Sequence, residues 1–231
     1  MGRVAPGLRV ALPCGMPSAS TAIAEHYLPS RYHYWYARSK IASDPLYDHV
    51  IEAIARTQAP LLDVGCGIGL LAHALRAVGA TMPYRGVDID AAKIAIAREA
   101  ARKADTLDVE FEVCDLTRMF PQHRGSVALL DVVQYLDTAS SDLVIDSAAQ
   151  AVSADGVLIM RAGLDDGSWR AGFTRFMDRV GYGIRWMQTP PRSQPTKSSL
   201  HELLQRHGFR CEFHPAWGRT PFNNWMVVAA K

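Results

Sequence analysis

The 231-residue chain has no run of about 18 apolar residues, so no transmembrane helix is expected. Charge of neither sign dominates. Lys and Arg number 25 against 23 Asp and Glu, a net charge of +2, and no long basic block occurs. Nucleic-acid binders carry such a block or stripe, so nucleic acid is not the expected partner. Cysteine is scarce. Cys14, Cys66, Cys114 and Cys211 include no pair at the two-residue spacing of a zinc knuckle and outline no disulfide framework. They read as reduced thiols of a cytoplasmic protein. No cluster of histidines and carboxylates has metal-ligand spacing, so no metal is expected. Val10-Ala11-Leu12 is too short for the core of a secretion signal, and residues 1–20 read as a flexible Pro/Gly-rich arm. Internal repeats and low-complexity tracts are also lacking. What remains is ordinary globular composition, 48% apolar and 21% charged. At this length one core buries roughly 70–75% of the unfolded surface without staples.

Helical spacing begins near Thr21. Tyr32, Trp35 and Tyr36 fall at i, i+3 and i+4, one aromatic face of a helix. Asp44-Pro45 is a helix start, with Asp as N-cap and Pro in the first turn; Leu46, Val50 and Ile54 then repeat every four residues. From Pro60 onward, buried strands alternate with helices. Strands are expected at 61–64, 84–89, 109–113, 126–133 and 156–161, with helices between them, one of them capped by Asp90. The tail differs. Residues 168–187 read as a helix carrying Trp169, Phe173, Phe176 and Trp186, followed by a Pro-rich loop. Ser198 or Ser199 with Glu202 suggests a capping box, and two strands near 209–213 and 224–230 close the chain. This pattern describes one domain over 21–231, with cap helices at 21–58 and a substrate-side insertion at 168–207.

The chemistry-bearing feature is Gly65-Cys66-Gly67-Ile68-Gly69 between a strand and a helix. Glycines there let the backbone approach a ligand and take positive φ, and the helix N-terminus offers free N–H groups. Asp88 lies 19 residues after Gly69 at a strand end, where a carboxylate can hold both hydroxyls of a ribose. A dinucleotide fingerprint needs G-x-G-x-x-G, but position 70 is Leu. Asp63, two residues before Gly65, would repel a pyrophosphate and suit an ammonium. S-adenosylmethionine carries an amino group, a carboxylate and a sulfonium, with no phosphate.

Leu61 to Gly69 resembles the first motif of class I S-adenosylmethionine-dependent methyltransferases. Gly86-Val87-Asp88-Ile89-Asp90 resembles their second-strand motif, Val113-Cys114-Asp115-Leu116 their third, and Leu130 to Leu136 the segment after strand four. The resemblance implies a Rossmann-like α/β fold with seven strands, mostly parallel, helices on both faces and a C-terminal antiparallel hairpin. It assigns S-adenosylmethionine to Asp63, Gly65, Gly67, Gly69, Asp88, Ile89, Asp115, Leu116 and Asp131. Many members carry His or Glu after strand four, whereas this chain has Gln134 and Tyr135, so no catalytic base transfers directly. Arg31 to Lys40, Asp44-Pro45 and Trp217 to Asn224 also resemble small methyltransferases of bacterial aryl polyene and xanthomonadin-type pigment pathways. That narrower likeness implies a phenolic or aryl-polyenyl acceptor.

Two look-alikes are set aside. Asp44-Pro45-Leu46-Tyr47 mimics a motif of amino-group methyltransferases but precedes the glycine loop, and Pro13-Cys14 mimics a nucleophile but lies in the arm. The reading is methyl transfer from S-adenosylmethionine to a small aromatic acceptor, with O-methylation favoured. His33, Asp131 and Tyr135 are the candidate catalytic groups, and Tyr32, Tyr36, Arg161 and Trp169 the candidate acceptor contacts. Two alternatives stay open: a cofactor-binding protein without catalysis, and a non-aromatic acceptor. The oligomeric state is not read.

Overall fold

The computed structural model describes residues 18–54, 57–116, 118–183, 195–218 and 220–231. The expected arm before Ser18, with Cys14, and the loop containing Trp186 lie outside them. Three helices lead the chain: α1 (Ala19–Glu25), α2 (Arg31–Ser43) and α3 (Leu46–Ile54). The helical stretch that begins near Thr21 is broken between α1 and α2, because Pro29 lacks the N–H a continuing helix needs and Ser30 caps a fresh one. Helix α1 also begins two residues earlier than expected, inside the span read as arm.

The centre alternates β1 (Leu61–Val64), α4 (Leu70–Ala77), β2 (Tyr84–Asp88), α5 (Ala91–Lys103), β3 (Val109–Val113) and β4 (Ser126–Leu130). A 3-10 turn (Val133–Tyr135), α6 (Thr138–Ala151), β5 (Val157–Gly163), α7 (Trp169–Gly183), α8 (Lys197–Arg206), β6 (Arg210–Pro215) and β7 (Asn224–Ala230) follow. Asp90 caps α5 as expected, its carboxylate accepting from Ala92 and Lys93. Helix α8 departs from expectation. Its cap is Thr196, whose hydroxyl accepts from the Ser199 N–H while Ser199 reaches back, a reciprocal pair that does not involve Glu202. Strand β4 is shorter than read. Asp131 takes φ 61°, a left-handed turn that ends the strand three residues early.

The seven strands form one sheet in the order β3-β2-β1-β4-β5-β7-β6. The pairs from β3 through β5 are parallel, and β7 runs antiparallel to both β5 and β6. Successive side chains alternate between two cores. Leu61, Tyr84, Phe111, Ala128 and Ile159 pack under α1 to α5, whereas Leu62, Val64, Val127, Leu129 and Met160 pack under α6 and α8. Strand order reverses between β1 and β4, so the crevice at their carboxyl ends is where open sheets of this kind take ligands. Among the described residues, no helix is long and apolar enough to cross a membrane.

Candidate active site

The turn after β1 is built by backbone geometry only glycine tolerates well. Gly65, Gly67 and Gly69 have φ of 75°, 57° and 81°. Two of the three are also packed tight. A Cβ on Gly65 would stand 2.3 Å from Val132 Cγ2, and one on Gly69 would stand 2.6 Å from Phe111 Cζ. Gly67 instead faces open space. The loop is therefore anchored at both ends, with open space beside Gly67 in the middle. Gly65 and Cys66 donate to the Val87 carbonyl, which ties the turn to β2. Tyr27 of the segment after α1 donates its hydroxyl to the Ile68 carbonyl at 2.9 Å, pinning the cap to the same loop.

Asp88 closes β2 and is 9% exposed. One carboxylate oxygen accepts the Gly67 N–H at 3.0 Å, and the other accepts the Asp90 N–H at 2.9 Å. Both oxygens keep further lone pairs for a ligand diol. Ile89, next along, is exposed, as a side chain that packs on a flat ring would be. Asp63 is buried beneath the loop, and the Tyr84 hydroxyl donates to it. Burial raises its carboxyl to about 7, the Tyr84 hydrogen bond pulling it down and the neighbouring Asp88 pushing it up. Cys66 is a spacer whose thiol burial pushes well up, away from thiolate chemistry.

On the other side of the crevice stands an ion cluster. Asp131, just after β4, accepts from Arg161 Nε at 2.8 Å and also from Nη2, a two-pronged pair. Arg161 Nη1 donates to Asp44 Oδ1 at 2.6 Å, and Lys40 Nζ lies 2.6 Å from Asp44 Oδ2. Burial alone would push Asp44 up, but the hydrogen bonds and charges of Arg161 and Lys40 hold it below its ordinary value. Burial acts to lower Arg161, and the two carboxylates outweigh it and raise it. The sequence reading made Arg161 a candidate acceptor contact; the structure pairs its guanidinium with two carboxylates of the chain itself.

The remaining candidates lie on the segments after β3 and β4, on α2 and on α7. Asp115 and Leu116 follow β3; Asp115 pairs with Arg118 at 3.3 Å, and Leu116 packs on the second core. Tyr135 lies in the 3-10 turn after Asp131 and is 47% exposed. His33 is half-buried in the first turn of α2, its ring edge-on to Tyr32. Tyr32 and Tyr36 stack with centroids 6.5 Å apart and rings 12° from parallel, and both are exposed. Trp169 opens α7, exposed, with the Arg170 guanidinium 4.9 Å from its ring. Sequence reasoning missed Tyr27, Tyr84 and the pairing of Asp44 with Arg161. Only the two-residue alternation that puts Asp63 and Tyr84 on one sheet face offered a signal, and that required the β1–β2 register. Among the described residues, no group of three or more His, Cys, Asp or Glu is arranged to hold a metal ion.

A family model described as a methyltransferase domain matches residues 56–174. The chain belongs to the methyltransferase-domain family. Its sheet is that of the class I S-adenosylmethionine-dependent enzymes. It is similar to the ubiquinone biosynthesis O-methyltransferase of Nitrobacter winogradskyi, 30% identical over 184 residues that cover 73% of this chain and 67% of that protein. An O-methyltransferase family protein from Burkholderia thailandensis superposes with a TM-score of 0.67 at 19% identity, covering 92% of this chain and 63% of that one. NcsB1, an O-methyltransferase from neocarzinostatin biosynthesis in complex with S-adenosylmethionine and 2-hydroxy-5-methyl naphthoic acid, superposes with a TM-score of 0.61 at 17% identity, covering 90% and 58%. The methyltransferase thus spans about two thirds, or less, of the length of these relatives.

The cofactor of this family is S-adenosylmethionine, and the residues present fit it. Gly67 leaves open room where a ligand must approach the backbone, and Asp88 presents a fixed carboxylate at the strand end.

Proposed function

We propose that this methyltransferase O-methylates a small aromatic acceptor, phenolic or aryl-polyenyl. The observation that carries the reading is the exposed, parallel pair Tyr32 and Tyr36 on α2. Planar side chains give a flat ligand a large contact area at low entropic cost. The successive 100° steps of a helix place His33, Tyr36, Ala37 and Lys40 on one face. Ala37 is buried and Lys40 reaches Asp44, so that face looks toward the ion cluster. Trp169, exposed at the start of α7, offers a second flat surface. The aromatic ligand named with NcsB1 and the O-methyltransferase name of the Nitrobacter relative support the same class.

Bound S-adenosylmethionine supplies an electrophilic methyl on sulfur. The chain's part is to hold the cofactor on Asp88 and the glycine loop, align the acceptor oxygen, and take its proton. A phenol has a pKa of about 10, so a weak base suffices. His33 is the base in this reading, with Asp131 and Tyr135 as the other groups beside the crevice. Helices α1 to α3 cap the cleft, and residues 168–207 furnish its acceptor side. The setting is cytoplasmic on this reading, in keeping with the unpaired thiols of Cys66, Cys114 and Cys211.

The test is a screen of phenols, aryl polyenoic acids, amines and oligonucleotides, read as S-adenosylhomocysteine formed. Turnover confined to amines or nucleic acid refutes the acceptor class. Replacing His33 by Ala lowers turnover on the accepted phenol about 10²-fold while cofactor affinity stays nearly unchanged, the size of a lost general base. Full activity in that variant removes His33 from the mechanism.

A further inference from the structure

Asp44 reads in sequence as a helix cap, and it is one: its Oδ1 accepts the Leu46 N–H at 3.0 Å where α3 begins. Its surroundings give it a second task. The same carboxylate accepts from Arg161 Nη1 at 2.6 Å across 117 positions of chain. The Arg161 side chain is 4% exposed and that of Asp44 11%. The Nε–Nη2 edge of the guanidinium is committed to Asp131, whose left-handed turn hands the chain to Val132. Val132 in turn fills the space against Gly65 that a side chain there would need. A continuous run of contacts therefore joins the α2–α3 corner to the cofactor turn, through Asp44, Arg161, Asp131 and Val132.

One carboxylate would suffice to balance Arg161. With Asp131 alone, the guanidinium could pivot about a single two-pronged pair. A second carboxylate on Nη1 leaves it one orientation, and both partners come from different elements. We propose that Asp44 is a positioning residue for the cofactor cleft, acting through Arg161 to set the Asp131–Val132 turn against the glycine loop. The proposal rests on reading that loop as the S-adenosylmethionine site and needs nothing about the acceptor.

Calorimetry with S-adenosylhomocysteine tests it. Asp44→Asn keeps the size and an oxygen for the Leu46 N–H, since Asn caps a helix as well as Asp does, and removes the charge. It weakens binding about tenfold, and Asp44→Glu restores part of the loss. Lysine in place of Arg161 keeps the charge but cannot bridge two carboxylates with a planar fork. In the Arg161→Lys background, Asp44→Asn then changes affinity by less than about twofold, the non-additivity of residues acting in series. If Arg161→Lys does not fold, Asp131→Asn provides the second background, with the same expectation. Wild-type affinity in Asp44→Asn, or equal tenfold losses in both backgrounds, overturns the positioning role and leaves the cofactor reading standing. Failure of the wild-type protein to bind S-adenosylhomocysteine overturns both.

Discussion

His73 is placed where a histidine is costly to charge. It sits in α4 directly behind the cofactor turn, 3% exposed, its ring stacked on His26 at 5.4 Å and met edge-on by Tyr27 at 5.7 Å. Its Nε2 is buried without a hydrogen-bond partner among the described residues. Burial, with a smaller contribution from His26, depresses its pKa from 6.5 to about 4. The unfolded chain therefore binds more protons than the folded one between pH 4 and 6.5, so stability rises with pH through that window and is lost as pH falls. Integrating the difference from pH 7 down to pH 5 gives a loss of about 2 kcal/mol from this one group. Asp63 works in the opposite direction. Its pKa is raised to about 7, so the folded chain holds the extra proton and stability falls as pH climbs from about 4 to 7. The wild-type pH profile alone therefore mixes two opposed contributions. Replacing His73 by Leu isolates one of them. At pH 7 the variant stays within about 1 kcal/mol of wild type, because the lost ring contacts offset the removal of an unpaired buried nitrogen. At pH 5 its advantage grows by about 2 kcal/mol. With m near 2 kcal/mol/M, that is a relative shift of about 1 M in the urea midpoint. Urea titrations of both proteins at pH 5 and 7 measure it. Parallel midpoints across the two pH values refute the buried, neutral histidine.

Asp88→Ala weakens S-adenosylhomocysteine binding by about 2 kcal/mol, about thirtyfold, through lost charge-assisted hydrogen bonds; unchanged affinity by calorimetry sinks the ribose assignment. Gly69→Ala combines a φ of 81° with a Cβ 2.6 Å from Phe111, and destabilises by about 2–4 kcal/mol. Gly79→Ala, at φ 80° with open space around it, costs only about 1 kcal/mol from the left-handed backbone. Thermal melts of the pair separate strain from overlap, and equal losses would contradict the packing described for Phe111. Turnover survives excess EDTA; loss that a divalent ion restores would reveal a metal site.

Local sequence determined much of this protein. Three glycines in five residues and an Asp cap at residue 90 act through local backbone geometry, so their spacing alone marks the turn and the helix start, and the carboxylate at 88 is legible from its place at the next strand end. Buried strands read as apolar runs because both faces of a parallel sheet are covered. Even locally the legibility had limits. Between Ser198, Ser199 and Thr196 several hydroxyls compete for one cap, and strand β4 stops early because Asp131 leaves extended geometry. What only the tertiary structure decided is where charges and polar groups from distant segments meet. Arg161 ends a strand in sequence as it would in any open sheet; folding brings Asp131 and Asp44 onto its two edges. The β1–β2 register sets the Tyr84 hydroxyl against Asp63, and the docking of α1 on α4 shuts His73 away from water. The burial that comes with those contacts carries the pKa shifts of Asp63 and His73, and the ion cluster couples the cap to the cofactor turn. They depend on distances across the sheet, which no spacing along the chain encodes.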